Sequence, residues 1–221
     1  MATTELILGY WDLRGIAEPI KTLLAYTGTP YKQEFFHSDE VWEKTKASAN
    51  YKFPNLPYLV DGEKTITESE AILVYICIKA GKPELLAKDQ ERVEFMQLKN
   101  VIKDIEGFFI KGCYSQKDTE SLKKLIEAQE KYISFKMNGL NEILGKREWL
   151  VGYITYFDFI LAELIERTSQ MDKDIGTSIT KNCPNLIAHM KRFIELPQIQ
   201  EYRKTDKFKA RPYFGEEAAW R

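Results

Sequence analysis

The chain has 221 residues, 44% hydrophobic and 29% charged, with 32 Lys and Arg set against 33 Asp and Glu. That balance describes an ordinary globular chain with room for one large core or two small ones, and a formal charge of −1 leaves no broad positive field for nucleic acid or an anionic membrane. No apolar run approaches the ~20 residues of a membrane span. Met1 to Glu5 has neither the basic nor the apolar region of a signal peptide, so a cytoplasmic location is expected.

Glu5-Leu6-Ile7-Leu8 reads as a first strand, and Tyr10-Trp11-Asp12-Leu13-Arg14-Gly15 carries it into a helix. A phenol at the carboxyl end of a first strand, beside a helix start, stands where open α/β sheets hold ligands and anions. It can donate a hydrogen bond to a developing anion, and a thiolate is the natural candidate. Ile16, Ile20, Leu23, Leu24 and Thr27 then recur at helical spacing, with Pro19 in the first turn and Gly28 closing the helix. Tyr31 to Phe36 alternates as a second strand, and a polar stretch follows from His37 to Lys52 with Trp42 as its only large apolar residue.

Phe53-Pro54-Asn55-Leu56-Pro57-Tyr58 leads into a hairpin of Pro57 to Val60, a turn at Asp61-Gly62, and Lys64 to Ile66. A cis Leu56–Pro57 bond would turn the Leu56 amide and carbonyl outward, able to pair with an extended peptide. Proline bonds are cis in only about 5% of cases, so the residues leave both isomers open. Thr67-Glu68-Ser69-Glu70 starts the next helix, whose buried stripe is Ile72, Leu73, Tyr75 and Ile76. Thr67 with Glu70 reads as a capping box. The same segment also suits a ligand, with Ser69 and the helix amides for a carboxylate and Glu68 for an ammonium. The order β-α-β, a bridge, then β-β-α is that of a thioredoxin-like domain over residues 1–82.

Gly81-Lys82-Pro83 opens a linker, and strand signals then disappear. Amphipathic stretches at 89–114, 119–144, 155–171, 184–195 and 197–204 make residues 89–221 an all-helical bundle. Thr155 and Asp158 form a capping box, with Ile154 as a hydrophobic staple, which is a folding feature. Cys77, Cys113 and Cys183 are odd in number and far apart, and His37 and His189 are the only histidines. Zinc, a disulfide framework and cysteine hydrolase chemistry are therefore not expected. Any thiol that reacts is one the ligand brings.

The segments Leu8 to Gly15, Phe53 to Gly62 and Ile66 to Ser69 together resemble the cytosolic glutathione transferases, the mu class above all. Leu144 to Trp149, Ile154 to Phe159 and Cys183 to Leu186 extend the resemblance through nearly the whole chain. It implies an α+β thioredoxin-like domain followed by an all-α domain, and an enzyme joining glutathione to small hydrophobic electrophiles. Tyr10 matches the tyrosine that stabilises the glutathione thiolate. Trp11, Trp42 and Lys46 match the residues at the glycyl carboxylate, Asn55 and Leu56 those at the cysteinyl segment, with Pro57 as the cis proline. Glu68 and Ser69 match the γ-glutamyl site, and Asp104 the aspartate that reaches the γ-glutamyl amine from a partner subunit. Phe53 matches the aromatic that inserts into the other subunit of a homodimer. Leu13, Ile16, Ile110, Tyr114 and Phe214 fall at the electrophile site, Tyr114 being the tyrosine that assists the electrophile.

Glutathione enters as a co-substrate, and no metal or other cofactor is implied; nucleic acid and membranes are not expected partners. The chain also departs from the mu pattern. The segment between Tyr31 and Trp42 is shorter, an arginine before the tryptophan is absent with Asp39 near its place, and Glu68 replaces a glutamine. Lys103, Gly107 and Gly215 differ from the usual residues that shape the electrophile pocket. A ligandin-like carrier, a structural relative and a glutathione-dependent isomerase are the alternatives on the same fold.

Overall fold

Leu6–Trp11 forms β1, with Leu6 and Leu8 buried and Gly9 bare enough for the Tyr58 ring to lie on the strand. A Cβ at Gly9 would fall 2.2 Å from that ring. β1 pairs in parallel with β2 (Tyr31–Phe36) and antiparallel with β3 (Tyr58–Asp61), which turns back into β4 (Lys64–Thr67). The sheet order is β2-β1-β3-β4. In this computed structural model, residues 5–221 are described. Asp61 pairs with Lys64, so the hairpin loop is Gly62-Glu63, one residue later than the sequence suggested.

The first helix, α1 (Glu18–Tyr26), follows a tight turn at Gly15–Ala17, and Pro19 sits in its first turn where a missing N–H costs little. α2 (Asp39–Ala47) lies in the stretch expected to be a mere bridge. Its only buried residue is Trp42, so no apolar period marks it. Its signals are those of its ends: Ser38 caps it by accepting the Val41 N–H, Asp39 and Glu40 fill the first turn, and Lys44 and Lys46 the last. α3 (Ser69–Lys79) buries Ile72, Leu73, Ile76 and Cys77, and packs on α1. Tyr75 is only half-buried and donates its hydroxyl to Asp61. The expected Thr67–Glu70 capping box does not form. Thr67 stays in the sheet opposite Tyr58, and the N-cap is Glu68, at φ 69°, with no side-chain cap bond.

Two compact units emerge, one running through Pro83 and taking in Pro197–Pro212, the other Glu84–Leu196 with Tyr213–Arg221. Residues 197–212, read from the sequence as part of the helical domain from 89 onward, group here with the first unit. The short helix at its start, Pro197–Tyr202, packs on α1 through a buried polar network. Tyr202 donates to Glu18 at 3.0 Å, Lys207 to the Tyr31 carbonyl at 2.8 Å, and the Arg14 N–H to the Pro212 carbonyl at 2.9 Å. Arg14 also lies over the Phe208 ring, and Lys209 pairs with Asp12. Burial pushes the Tyr202 and Tyr31 phenols far up, with the Glu18 carboxylate adding to both.

The second unit contains α4 (Arg92–Ser115), α5 (Thr119–Ala128), α6 (Glu130–Leu144), α7 (Tyr156–Ile175) and α8 (Pro184–Ile194). The expected single stretch 119–144 is broken at Gln129 (φ −105°, ψ 15°), which separates α5 from α6. α7 is the central helix, buried on nearly every side and packed against α4, α5 and α8. The Thr155–Asp158 capping box is present. Asp158 accepts from the Thr155 N–H and hydroxyl and the Leu150 N–H, and lies 3.0 Å from His189, so one buried carboxylate ties the start of α7 to α8.

Candidate functional site

In the first unit the sequence-predicted residues converge at the carboxyl end of β1. Tyr10, Leu13, Trp42 and Leu56 share a buried cluster with Phe36 and Tyr58, and Trp11 and Ile16 pack on its edge. Trp42 stacks on Tyr58 at 6.4 Å and meets Phe36 edge-on at 5.3 Å, while Trp11 meets Phe36 edge-on at 6.3 Å. α2 therefore exists to deliver Trp42 to this cluster.

Tyr10 is 7% exposed, and its hydroxyl oxygen accepts the Ile16 N–H at 3.3 Å. That amide belongs to the turn that opens α1, where backbone N–H groups lack helical partners. An N–H donated to a phenol oxygen draws charge from it and strengthens its O–H as a donor, the property that stabilises a neighbouring anion. Gly15 makes the approach possible. It holds φ +46°, and a Cβ there would lie 2.4 Å from the Tyr10 hydroxyl. The sequence motif showed the tyrosine; only the structure shows the glycine behind it.

Around this centre the polar residues are more open. Leu56 is nearly buried, and its N–H is taken by Asn55 Oδ1 at 2.9 Å, so an extended ligand must displace that contact to pair with it. The Leu56–Pro57 bond is cis, as is Arg211–Pro212, which no motif marks. Lys46 is exposed on α2 and pairs with Glu43 at 3.4 Å. Ser69 opens α3, and Glu68 turns the chain into it with an exposed side chain. Phe53 stands apart, 79% exposed and at φ 58°.

The second unit gathers a separate set. Tyr114, at the end of α4, meets Phe214 edge-on at 5.8 Å, and its hydroxyl accepts the Gly215 N–H at 2.9 Å. Phe214 is buried, with the Arg167 guanidinium 5.3 Å from its ring centre, and Ile110 is half-buried on the same helix as Tyr114. Arg167 is fully buried, with Glu106 at 3.6 Å. Asp104 is exposed and faces Lys136 of α6, a partner that no motif revealed. A cavity of about 500 Å³ opens beside them, lined by Asp104, Gly107, Phe108, Lys111 and Tyr132 among others. All three cysteines are free and buried, and burial pushes the Cys113 thiol up to about 12.

Family models described as the N-terminal and C-terminal domains of glutathione S-transferase match residues 7–77 and 103–206. Glutathione S-transferase 2 of Gallus gallus is 34% identical over 227 residues, covering 96% of this chain and 96% of its own. Glutathione S-transferase Mu 4 of Homo sapiens is 34% identical over 229 residues, with 98% of each covered. Among solved structures, the glutathione S-transferase Blo t 8 superposes with a TM-score of 0.84 at 27% identity, covering 96% of this chain and 98% of that one.

Proposed function

The chain belongs to the glutathione S-transferase family, and from that premise we propose that it is an enzyme transferring the thiolate of glutathione to small hydrophobic electrophiles. The observation that carries the reading is the Tyr10 hydroxyl, set at the end of β1 and accepting the Ile16 N–H from the tight turn that precedes α1. Tyr10 is the catalytic residue. Its O–H donates to the sulfur and favours thiolate over thiol, the thiol proton passing to solvent. A sulfur lone pair then forms the new carbon–sulfur bond. A leaving group departs with its bonding pair, or a π pair moves to an atom that later takes a proton. Leu13, Ile16, Ile110 and Phe214 are apolar side chains of the kind that suit such substrates.

Trp11, Trp42 and Lys46 are assigned to the glycyl end of glutathione, Asn55 and Leu56 to its cysteinyl segment, and Glu68 and Ser69 to its γ-glutamyl end. The first helical turn of α3 supports the last assignment, because its amides and dipole favour a carboxylate. Trp42 supports the pocket by packing as much as by contact, since it is only 7% exposed. Leu13, Ile16, Ile110, Tyr114 and Phe214 are assigned to the electrophile. The Gly215 N–H orients the Tyr114 phenol for donation to a developing negative charge. Glutathione serves as co-substrate with no further cofactor. The protein acts as a homodimer in which Phe53 anchors one subunit in the other and Asp104 reaches the partner's ligand. No helix among the described residues is long and apolar enough to cross a membrane, and a cytoplasmic location is part of the same proposal.

Retention on immobilised glutathione, followed by conjugation of a chlorodinitrobenzene, tests the reading. Both are expected of the unaltered chain. Tyr10→Phe should keep the retention and lose roughly 10²–10³ in rate, the cost of one oxyanion-type donor. Retention without turnover would move the carrier reading ahead.

A further inference from the structure

Asp104 is assigned above to the amine of a neighbouring subunit's glutathione, yet its carboxylate is already engaged. Lys136 of α6 brings its ammonium to 2.5 Å from Asp104 Oδ2. This is not a loose surface lysine. Its side chain is 14% exposed against 57% for Asp104, and its ammonium lies 5.0 Å from the centre of the Tyr132 ring. Tyr132 is braced in turn against Phe108 of α4. A lysine with a covered stem and a head held by a ring and a carboxylate gives up little more freedom in making the pair. Exposed pairs such as Lys44–Glu40 must restrain two mobile side chains and are worth little. The amine of glutathione therefore meets an aspartate that already carries a cation on one of its two oxygens.

Glu68 is in the opposite condition. It is exposed, and no ion pair engages it among the described residues. It also stands where the mu-class enzymes that the chain resembles carry a glutamine. With a glutamine and an unpaired aspartate, one negative charge faces the amine. Glu68 with an unpaired Asp104 would make two, against a ligand that brings two carboxylates of its own. Lys136 returns that number to one.

We propose that Lys136 is a positioning residue that withdraws Asp104 from the amine of glutathione and assigns that amine to Glu68, an exchange of partners across the subunits. The proposal rests on the functional reading above, in which Asp104 of the partner subunit borders the γ-glutamyl site. It explains together two features that separately look like losses: an acid in place of an amide, and a functional aspartate consumed by a lysine.

A charge-exchange cycle on the full chain tests it, reading glutathione Kd by calorimetry together with KM and kcat. Glu68→Gln should weaken glutathione by about tenfold, because Asp104 is not available to replace it. Adding Lys136→Gln should recover most of that loss, since Asp104 is then released to the amine. Lys136→Arg, which keeps the charge, should stay within about twofold of the unaltered chain, and the loss and its recovery should appear in Kd and KM together. A double variant as weak as Glu68→Gln, or weaker, overturns the proposal, and so does a Glu68→Gln variant of undiminished affinity. If the unaltered chain does not bind glutathione, the functional reading itself fails and this proposal falls with it.

Discussion

Gly15→Ala is the substitution that most directly tests whether backbone geometry places the Tyr10 hydroxyl. The added methyl would start 2.4 Å from that hydroxyl and 2.7 Å from Leu13 Cδ1, on backbone held at φ +46°. Ordinary van der Waals separation is about 3.5 Å, so the phenol must retreat by roughly 1 Å. The left-handed backbone adds about 1–2 kcal/mol of strain for any residue with a Cβ. Displacement by 1 Å at a reacting centre costs about a hundredfold in rate, or ~2.7 kcal/mol of barrier. Glutathione affinity should change much less, because none of the residues assigned to its two ends is touched. The assay is the rate of conjugation as a function of pH, with the absorbance of the bound thiolate titrated alongside. A free thiol ionises near ~8.5, so both Gly15→Ala and Tyr10→Phe should shift the bound titration upward and recover rate as the pH rises. If Gly15→Ala keeps its rate and titration while Tyr10→Phe loses them, the glycine does not place the hydroxyl. If both variants keep them, Tyr10 is not the activating group.

Three further outcomes follow from individual residues. Phe53, 79% exposed on a strained backbone, should be an interface anchor, so Phe53→Ala should raise the monomer fraction in sedimentation and lower activity; an unchanged dimer with full activity removes it from that role. Asp158→Ala strips the acceptor from two buried N–H groups, a hydroxyl and His189. It should cost about 3 kcal/mol, or roughly 6–12 °C in Tm, and a melting curve within a degree or two of the parent's would contradict the account. The Cys113 thiol, raised to about 12 by burial, stays protonated in the folded protein while its unfolded counterpart ionises near ~8.5. Its contribution to stability is therefore full below the unfolded value and is lost as the pH climbs toward 12. Urea midpoints of the parent and Cys113→Ala should diverge over that range, and parallel curves would show that the thiol carries no such linkage.

The parts of this protein that were legible in its sequence are those set by local pattern. Alternation marked β2 to the residue, the Thr155–Asp158 pair marked the start of α7, and Tyr10, Trp42 and Leu56, picked out by separate motifs, share one buried cluster. α2 escaped because one tryptophan makes no period, although Ser38 and the charges at either end announce it. Thr67 was misread because a hydroxyl three residues before an acid looks alike in a cap and at a strand end, and only pairing with Tyr58 decides between them. Pattern marked a helix from 197 but could not assign the segment 197–212 to its unit. Among the contacts that hold it is one between Glu18 and Tyr202, 184 residues apart, made by a charged side chain of α1 that ordinary burial rules leave at the surface.

The same limit applies to the functional residues, and there it changes the chemistry. A motif carries a residue from one protein to another, but it does not carry the residue's partner. The resemblance offers Asp104 as a carboxylate for an amine, yet what a carboxylate can do depends on the cation already beside it. Lys136 is 32 residues away and belongs to no motif. Glu68 was legible as a departure from glutamine, and on its own it adds one negative charge to the subsite. Set beside the Asp104–Lys136 pair, it is, on the proposal above, the acid left to meet the ligand. A substitution at one end of the amine subsite is thus interpretable only through a lysine on another helix, which is why an exchange of charges at both positions, and not the loss of either, is the informative perturbation.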